Sequence, residues 1–159
     1  MASRADDPCA AFAWDVRNER ALFAAAARPL AAGTTVAASP PLAPDHIYRL
    51  QLSALADVAF AVPPARTPGA DRAYAGLARL TVGVAGVYRI SLDQAAWLDV
   101  VADGAAIRSQ GFEGRPGCNA PHKIVEFLLP AGVPLTLQLS GAAGPGVTVA
   151  VTRSPRQRP

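Results

Sequence analysis

Val87-Tyr88-Arg89-Ile90-Ser91-Leu92 is the stretch on which the fold class turns. Large apolar side chains fall at every second position, with Arg89 and Ser91 between them. That period of two belongs to a strand with one face on a core and the other toward water. Tyr88, Ile90 and Leu92 are expected inward, Arg89 and Ser91 outward. Downstream, Trp97-Leu98-Asp99-Val100-Val101 runs into Asp103-Gly104, a dipeptide suited to a two-residue hairpin turn. Further strands are marked by Val125, Phe127 and Leu129, by Leu135, Leu137 and Leu139, and by Val147, Val149 and Val151. Upstream, the alternation appears in 47–52 (Tyr48, Leu50, Leu52), in Val58, Phe60 and Val62, and in 77–82. Residues 106–109 read as the return strand of the hairpin, 111–121 as a Gly/Pro-rich loop, and Ser140-Gly141 as a hairpin turn.

Eight or nine short strands separated by turn signals are the pattern of an antiparallel sandwich or barrel. After residue 30 no helical segment separates the strands, as parallel βαβ units would require. The expected fold is therefore mainly β, an antiparallel β-sandwich of jelly-roll character with one short N-terminal helix. It is one domain over 1–159: an arm at 1–13, a helix at 14–28 capped by Asp15 and stopped at Arg28-Pro29, a proline-rich crossing loop at 29–46, the sandwich at 47–152, and a flexible basic tail at 153–159. A chain of 159 residues can bury roughly 70% of its unfolded surface, enough for one real core.

The charge pattern narrows the function. The formal net charge is +3, but Arg153, Arg156 and Arg158 crowd the last residues, so the remainder is near neutral. Nucleic-acid binding needs a clustered basic face, and the other arginines are scattered, with Lys123 the single lysine. No apolar run approaches the ~20 residues that span a bilayer. Neither nucleic acid nor a membrane span is expected, and no cofactor is called for. The opening residues lack an apolar signal core, so the chain is either cytoplasmic or a mature form relieved of its leader. A disulfide and the lysine-poor, proline-rich loops favour the second, periplasmic or secreted.

Cys9 and Cys118 show no metal-finger spacing. They form either a disulfide closing about 110 residues, worth roughly 4–5 kcal/mol in loop entropy, or two separate buried thiols. Their Pro- and Gly-flanked positions favour the bond. A nucleophilic Cys118 with His122 as base is the competing idea, which a disulfide excludes.

Two places carry possible binding chemistry. His122 and Glu126 lie in the densest polar cluster, together with Glu113, Arg115, Cys118, Asn119 and Lys123. On a strand His122 and Glu126 would stand about 13 Å apart, two repeats of roughly 6.6 Å, too far to share a metal. His122 is expected to hydrogen-bond the backbone or Asp99. Asp99 stands beside Trp97 among apolar neighbours and needs a partner, for which Arg89 or Arg108 could serve. Trp97, Asp99, His122, Glu126 and Arg89 are thus the candidate ligand-binding residues, and an exposed Trp97 or Tyr74 beside a concave surface would suit a sugar or peptide. No catalytic residues are assigned: neither a nucleophile elbow nor a phosphate-binding glycine loop occurs. The alternative metal set is His46, His122 and Cys118.

Thr81-Val82-Gly83-Val84-Ala85-Gly86-Val87-Tyr88-Arg89-Ile90-Ser91-Leu92, followed by Trp97-Leu98-Asp99-Val100-Val101-Ala102-Asp103-Gly104, resembles the pre-peptidase C-terminal type of bacterial β-sandwich. The Trp-hydrophobic-Asp-Val-Val hairpin and the later Cys…His-Lys loop also resemble a group of small exported proteobacterial proteins, some labelled homogentisate 1,2-dioxygenase. The resemblance covers about half the chain. It implies a sandwich accessory to secreted proteins and carries over no catalytic residues. The dioxygenase label sits badly with the residues, since facial iron sites take two histidines and a carboxylate, and only His46 and His122 exist. The expected function is a non-catalytic accessory or binding protein of the bacterial envelope that engages a partner protein or polysaccharide. A small metal-binding or redox protein is the alternative, and a hydrolase or dioxygenase is disfavoured.

Overall fold

The structure, a computed structural model, describes residues 7–155. A helical turn at Pro8–Ala11 and helix α1 (Arg17–Phe23) precede twelve strands. These are β1 (Arg28–Ala31), β2 (Pro41–Leu42), β3 (Ile47–Gln51), β4 (Ser53–Ala54), β5 (Tyr74–Leu80), β6 (Gly86–Leu92), β7 (Trp97–Ala102), β8 (Ala105–Ala106), β9 (Ser109–Gly114), β10 (Lys123–Leu129), β11 (Leu135–Ala142) and β12 (Gly146–Arg153). One sheet runs β1-β3-β12-β6-β10-β9. The other runs β2-β5-β11-β7-β8, with β4 also beside β5.

The two sheets face each other as a sandwich. Tyr88, Ile90 and Leu92 of β6 meet Leu98 and Val100 of β7, Val125 and Phe127 of β10, and Leu135, Leu137 and Leu139 of β11 in one buried cluster. Every second side chain of these strands enters it, because successive Cβ atoms point to opposite faces of a sheet. Asp103 and Gly104 have φ of 49° and 75°, so the β7–β8 turn takes the left-handed conformation its two residues foreshadow.

Several expectations are corrected. The proline-rich segment 29–46 is no simple loop: β1 pairs with β3 and β2 with β5, both parallel, so each sheet is mixed at its margin. Both strands carry proline, and β1 lies at a sheet edge, where a missing N–H is tolerated. Helix α1 stops at Phe23 rather than at Arg28, because Arg28–Ala31 is drawn into pairing with Tyr48–Gln51. Val16, not Asp15, occupies its N-cap. Asp15 binds Arg17 instead, through both backbone and side chain, which brings its carboxyl down to about 2.

Val58, Phe60 and Val62 form no strand despite their alternation. The side-chain amide of Gln138 captures that segment: its oxygen accepts from the amides of Ala61 (2.8 Å) and Val62 (3.2 Å), and its nitrogen donates to the Val62 carbonyl (3.1 Å). The expected loop 111–121 contributes four residues to β9, whose Gly111 and Gly114 hid the strand. Ser140 and Gly141 belong to β11 at a register shift, not to a hairpin turn. Residues 153 and 154 of the expected tail belong to the fold: Arg153 closes β12, and the Ser154 amide donates to the Val87 carbonyl. Arg156 and Arg158, and the first six residues of the expected arm, lie outside the described residues.

The largest correction concerns the outer face of β6. Arg89 is 1% exposed, because α1 and the segment before it lie across that face. A helix only seven residues long is too short to be stable alone. It is held by a buried ion cluster in which Arg89 reaches Glu19 of α1 (2.7 Å), Glu126 of β10 (3.0 Å) and the Asp15 carbonyl (2.6 Å). Thr152 donates to Glu19 (2.7 Å), Ser154 to Glu126 (3.0 Å), and the Trp14 ring lies 5.0 Å from the Arg89 guanidinium.

Candidate functional site

The alternation in β7 that sends Leu98 and Val100 into the core sends Trp97 and Asp99 to the opposite face. There the indole Nε1–H donates to one Asp99 oxygen (3.1 Å) and the Ala65 amide to the other (3.2 Å). The carboxylate is therefore satisfied by neutral donors. Neither Arg89 nor Arg108 pairs with it, contrary to expectation: Arg89 belongs to the other sheet, beneath α1.

Lys123, the first residue of β10, shares the inward face of Val125 and Phe127, but at the end of the strand that face opens onto the margin of the sandwich. Its ammonium donates to the Ala96 carbonyl (2.9 Å) and sits 5.2 Å from the Trp97 ring centre. Burial lowers its pKa below the ordinary lysine value, the neighbouring Arg66 lowers it further, and Asp99 acts in the opposite sense.

Around these groups lies a cleft of about 480 Å³ between the margins of the two sheets. Ala65, Arg66, Trp97, Leu98, Asp99, Ala106, Ile107 and Arg108 line it from the second sheet and its flanking loops, and Ser109, Phe112, Lys123, Val125 and Phe127 from the first. That volume lies within the usual range of small-ligand sites, roughly 300–1,000 Å³, which are also mostly apolar with a few polar groups. Phe112, on edge strand β9, is 73% exposed at the mouth. A second hollow of about 370 Å³, lined by Arg66, Thr67, Pro68, Asp71, Arg72, Ala95, Trp97, Lys123 and others, meets the first at Arg66, Trp97 and Lys123. These two adjoining hollows make up the groove.

Of the five residues expected to bind ligand, Trp97 and Asp99 come together in this groove. His122, Glu126 and Arg89 do not. Glu126 and Arg89 are buried in the cluster that holds α1. The His122 ring is hydrogen-bonded through Nδ1 to the Cys118 carbonyl (3.0 Å), the backbone partner foreseen for it. Cys9 and Cys118 are joined as a disulfide with Cα atoms 5.0 Å apart, so the sulfur is no nucleophile. The metal set of His46, His122 and Cys118 is not assembled either. Cys118 is oxidised, and the strands that follow His46 and His122, β3 and β10, have β12 and β6 between them. His46 is exposed and meets Tyr48 edge-on. Among the described residues no three His, Cys, Asp or Glu side chains gather as a metal site would require, and no helix is long and apolar enough to cross a membrane.

Lys123, Phe112, Arg66 and Arg108 escaped the sequence reading as site residues. Lys123 left a signal as the chain's single lysine in the polar cluster, and Arg108 only as a possible partner of Asp99. Phe112 and Arg66 reach the groove through an edge strand and a loop whose course periodicity does not reveal. No family model, characterised protein or solved structure matches the chain.

Proposed function

We propose that this protein is a non-catalytic accessory or binding module of the bacterial envelope, and that it holds a partner protein in the groove beside Trp97. The observation that carries the reading is an aromatic-walled cleft with Phe112 standing 73% exposed at its mouth. Isolated exposed apolar residues are ordinary, but an aromatic bordering an apolar concavity is the habit of recognition sites. The groove offers little chemistry: no histidine or free cysteine lines it, and the oxygens of Asp99 already accept hydrogen bonds within the fold. A polysaccharide fits less well. Sugar sites join an open aromatic face to free polar groups, and here the Lys123 ammonium sits over the Trp97 ring. The disulfide supports a periplasmic or secreted setting, since such bonds persist in oxidising compartments. The resemblance to the pre-peptidase C-terminal sandwich supports an accessory role.

The test is retention of envelope protein and envelope polysaccharide fractions on immobilised wild type and on Phe112→Ser, a change at an exposed position that leaves the core intact. Selective protein retention that the variant loses supports the reading. Equal retention by both forms, or retention of polysaccharide alone, overturns it.

A further inference from the structure

The groove is chemically lopsided. Its floor is apolar, built from Leu98, Val125 and Phe127, while Arg66, Arg72, Arg108 and Lys123 stand around it against only Asp71 and Asp99. Asp99 is held by the Trp97 indole and the Ala65 amide. Arg66, Arg72 and Arg108 make no ion pair among the described residues. Uncompensated cations lining one groove attract a ligand of opposite sign, steer its approach and select against cationic competitors. The shape adds a second constraint. A small organic acid would fill one hollow, whereas a peptide segment is long enough to reach both adjoining hollows, which have Arg66, Trp97 and Lys123 in common.

We propose that the groove receives an extended acidic segment of the partner protein, with carboxylates alternating with apolar side chains. In such a segment successive side chains point to opposite sides, so every apolar residue can face the floor while every carboxylate faces the cationic rim. An apolar side chain enters between Phe112 and Phe127. Its neighbouring carboxylates meet Arg108 on one side and Arg66 with Lys123 on the other. This identification rests on the reading of the groove as a protein-binding site.

The probes are an acetylated, amidated peptide alternating glutamate with leucine, the same peptide with lysine for glutamate, octanoate, and a neutral glucose oligomer. Each is titrated into the full chain while amide and indole resonances are followed by NMR. The acidic peptide is expected to shift the Trp97 indole and the Phe112 and Lys123 amides, with affinity falling as salt rises. The double variant Arg66→Gln/Arg108→Gln, altered only at exposed positions, is expected to bind it about three- to tenfold more weakly, as two rim charges would imply. Equal binding of the lysine peptide, or no loss in the double variant, overturns the acidic assignment while leaving a protein site standing. Octanoate binding as tightly as the peptide and shifting only the larger hollow overturns the extended segment in favour of a free acid. Silence toward both peptides, with or without a response to the glucose oligomer, overturns the assignment and the protein-binding reading together.

Discussion

Replacing Arg89 with methionine removes the cation that Glu19 and Glu126 share while keeping most of the side-chain volume. The wild-type guanidinium is 1% exposed and lies 2.7 Å and 3.0 Å from the two carboxylates, whose own side chains are 1% and 6% exposed. Water cannot replace it there. Removing one partner of a buried pair leaves an uncompensated buried charge and destabilises by about 3–5 kcal/mol. Here Glu19 loses its cation and the Asp15 carbonyl its donor, so a loss within that range is expected. Against a typical domain stability of about 5–15 kcal/mol this is a large fraction. It corresponds to a fall in Tm of roughly 6–20 °C for a chain of this size.

The companion variant Arg89→Met/Glu19→Gln/Glu126→Gln keeps the shapes and neutralises the charges, with the amides still able to bind Thr152 and Ser154. It is expected to recover at least about 2 kcal/mol over the single change, since replacing a whole buried ion cluster is far milder than breaking it. Urea unfolding followed by far-UV circular dichroism measures both. Tryptophan emission shows whether α1 peels away first, because Trp14 leaves Arg89 when it does. A single variant that loses less than about 1 kcal/mol, or a triple variant no more stable than the single one, would refute the claim that this cluster clamps the helix to the sheet.

Cys9→Ser/Cys118→Ser opens a loop with a sequence separation of 109 and is expected to lower unfolding stability by up to roughly 4–5 kcal/mol; an unchanged urea midpoint would show that the bond restrains little. Gly76→Ala would place a Cβ 2.6 Å from that of Ala32 and 2.9 Å from Leu52, an overpacking expected to cost about 1–3 kcal/mol. Gly83→Ala meets nothing within 4 Å and should leave the melting curve nearly unmoved, so equal effects at the two glycines would count against the packing described. Lys123→Met should remove a pH trend. Burial depresses the folded-state pKa of Lys123 below 10.5, so the unfolded chain binds the proton more tightly. The penalty is therefore full at pH values below the folded pKa and relieved as pH rises from there toward 10.5. Wild type should gain stability relative to the variant across that interval, and a constant difference between the two would contradict the assignment.

Much of the sandwich could be read from side-chain period, because inward positions of β6, β7, β10, β11 and β12 had to be apolar for the layers to meet. The Asp103-Gly104 turn and the Cys9–Cys118 bond were legible for similarly local reasons. Period two failed where a side chain from elsewhere decided the outcome. Residues 58–62 alternate like a strand, yet Gln138 satisfies their backbone and no neighbouring strand does. Arg89 and Ser91 sit at outward positions, but outward is not the same as wet, and nothing in β6 announces that α1 will cover it. Glu126 was singled out as a polar residue of possible function, and Arg89 likewise. Their polarity answers each other across the β6–β10 register, where Glu126 is opposite Arg89.

That distinction also explains where the groove lies. A strand pair can satisfy its outer charges internally, as Arg89 and Glu126 do, only where a further element supplies the remaining partners. Helix α1 and the end of β12 supply them over the first sheet, through Glu19, Thr152 and Ser154. At the β8–β9 margin no such element arrives. β8 pairs with β7 only at Val101–Ala102, and β9 has β10 alone beside it, so the cleft opens here at the edge of the core, against Val125 and Phe127. Arg66, Arg72 and Arg108 therefore keep their charges toward solvent, while the Lys123 ammonium rests on the Ala96 carbonyl beside Trp97. A fold that covers one polar face with its own helix, braced by its own disulfide, and leaves the β8–β9 margin apolar, aromatic and cationic keeps the cluster that stabilises it apart from that margin. The separation is testable by the same variants: Arg89→Met should move stability and leave groove resonances where they are, whereas Arg66→Gln/Arg108→Gln should do the reverse.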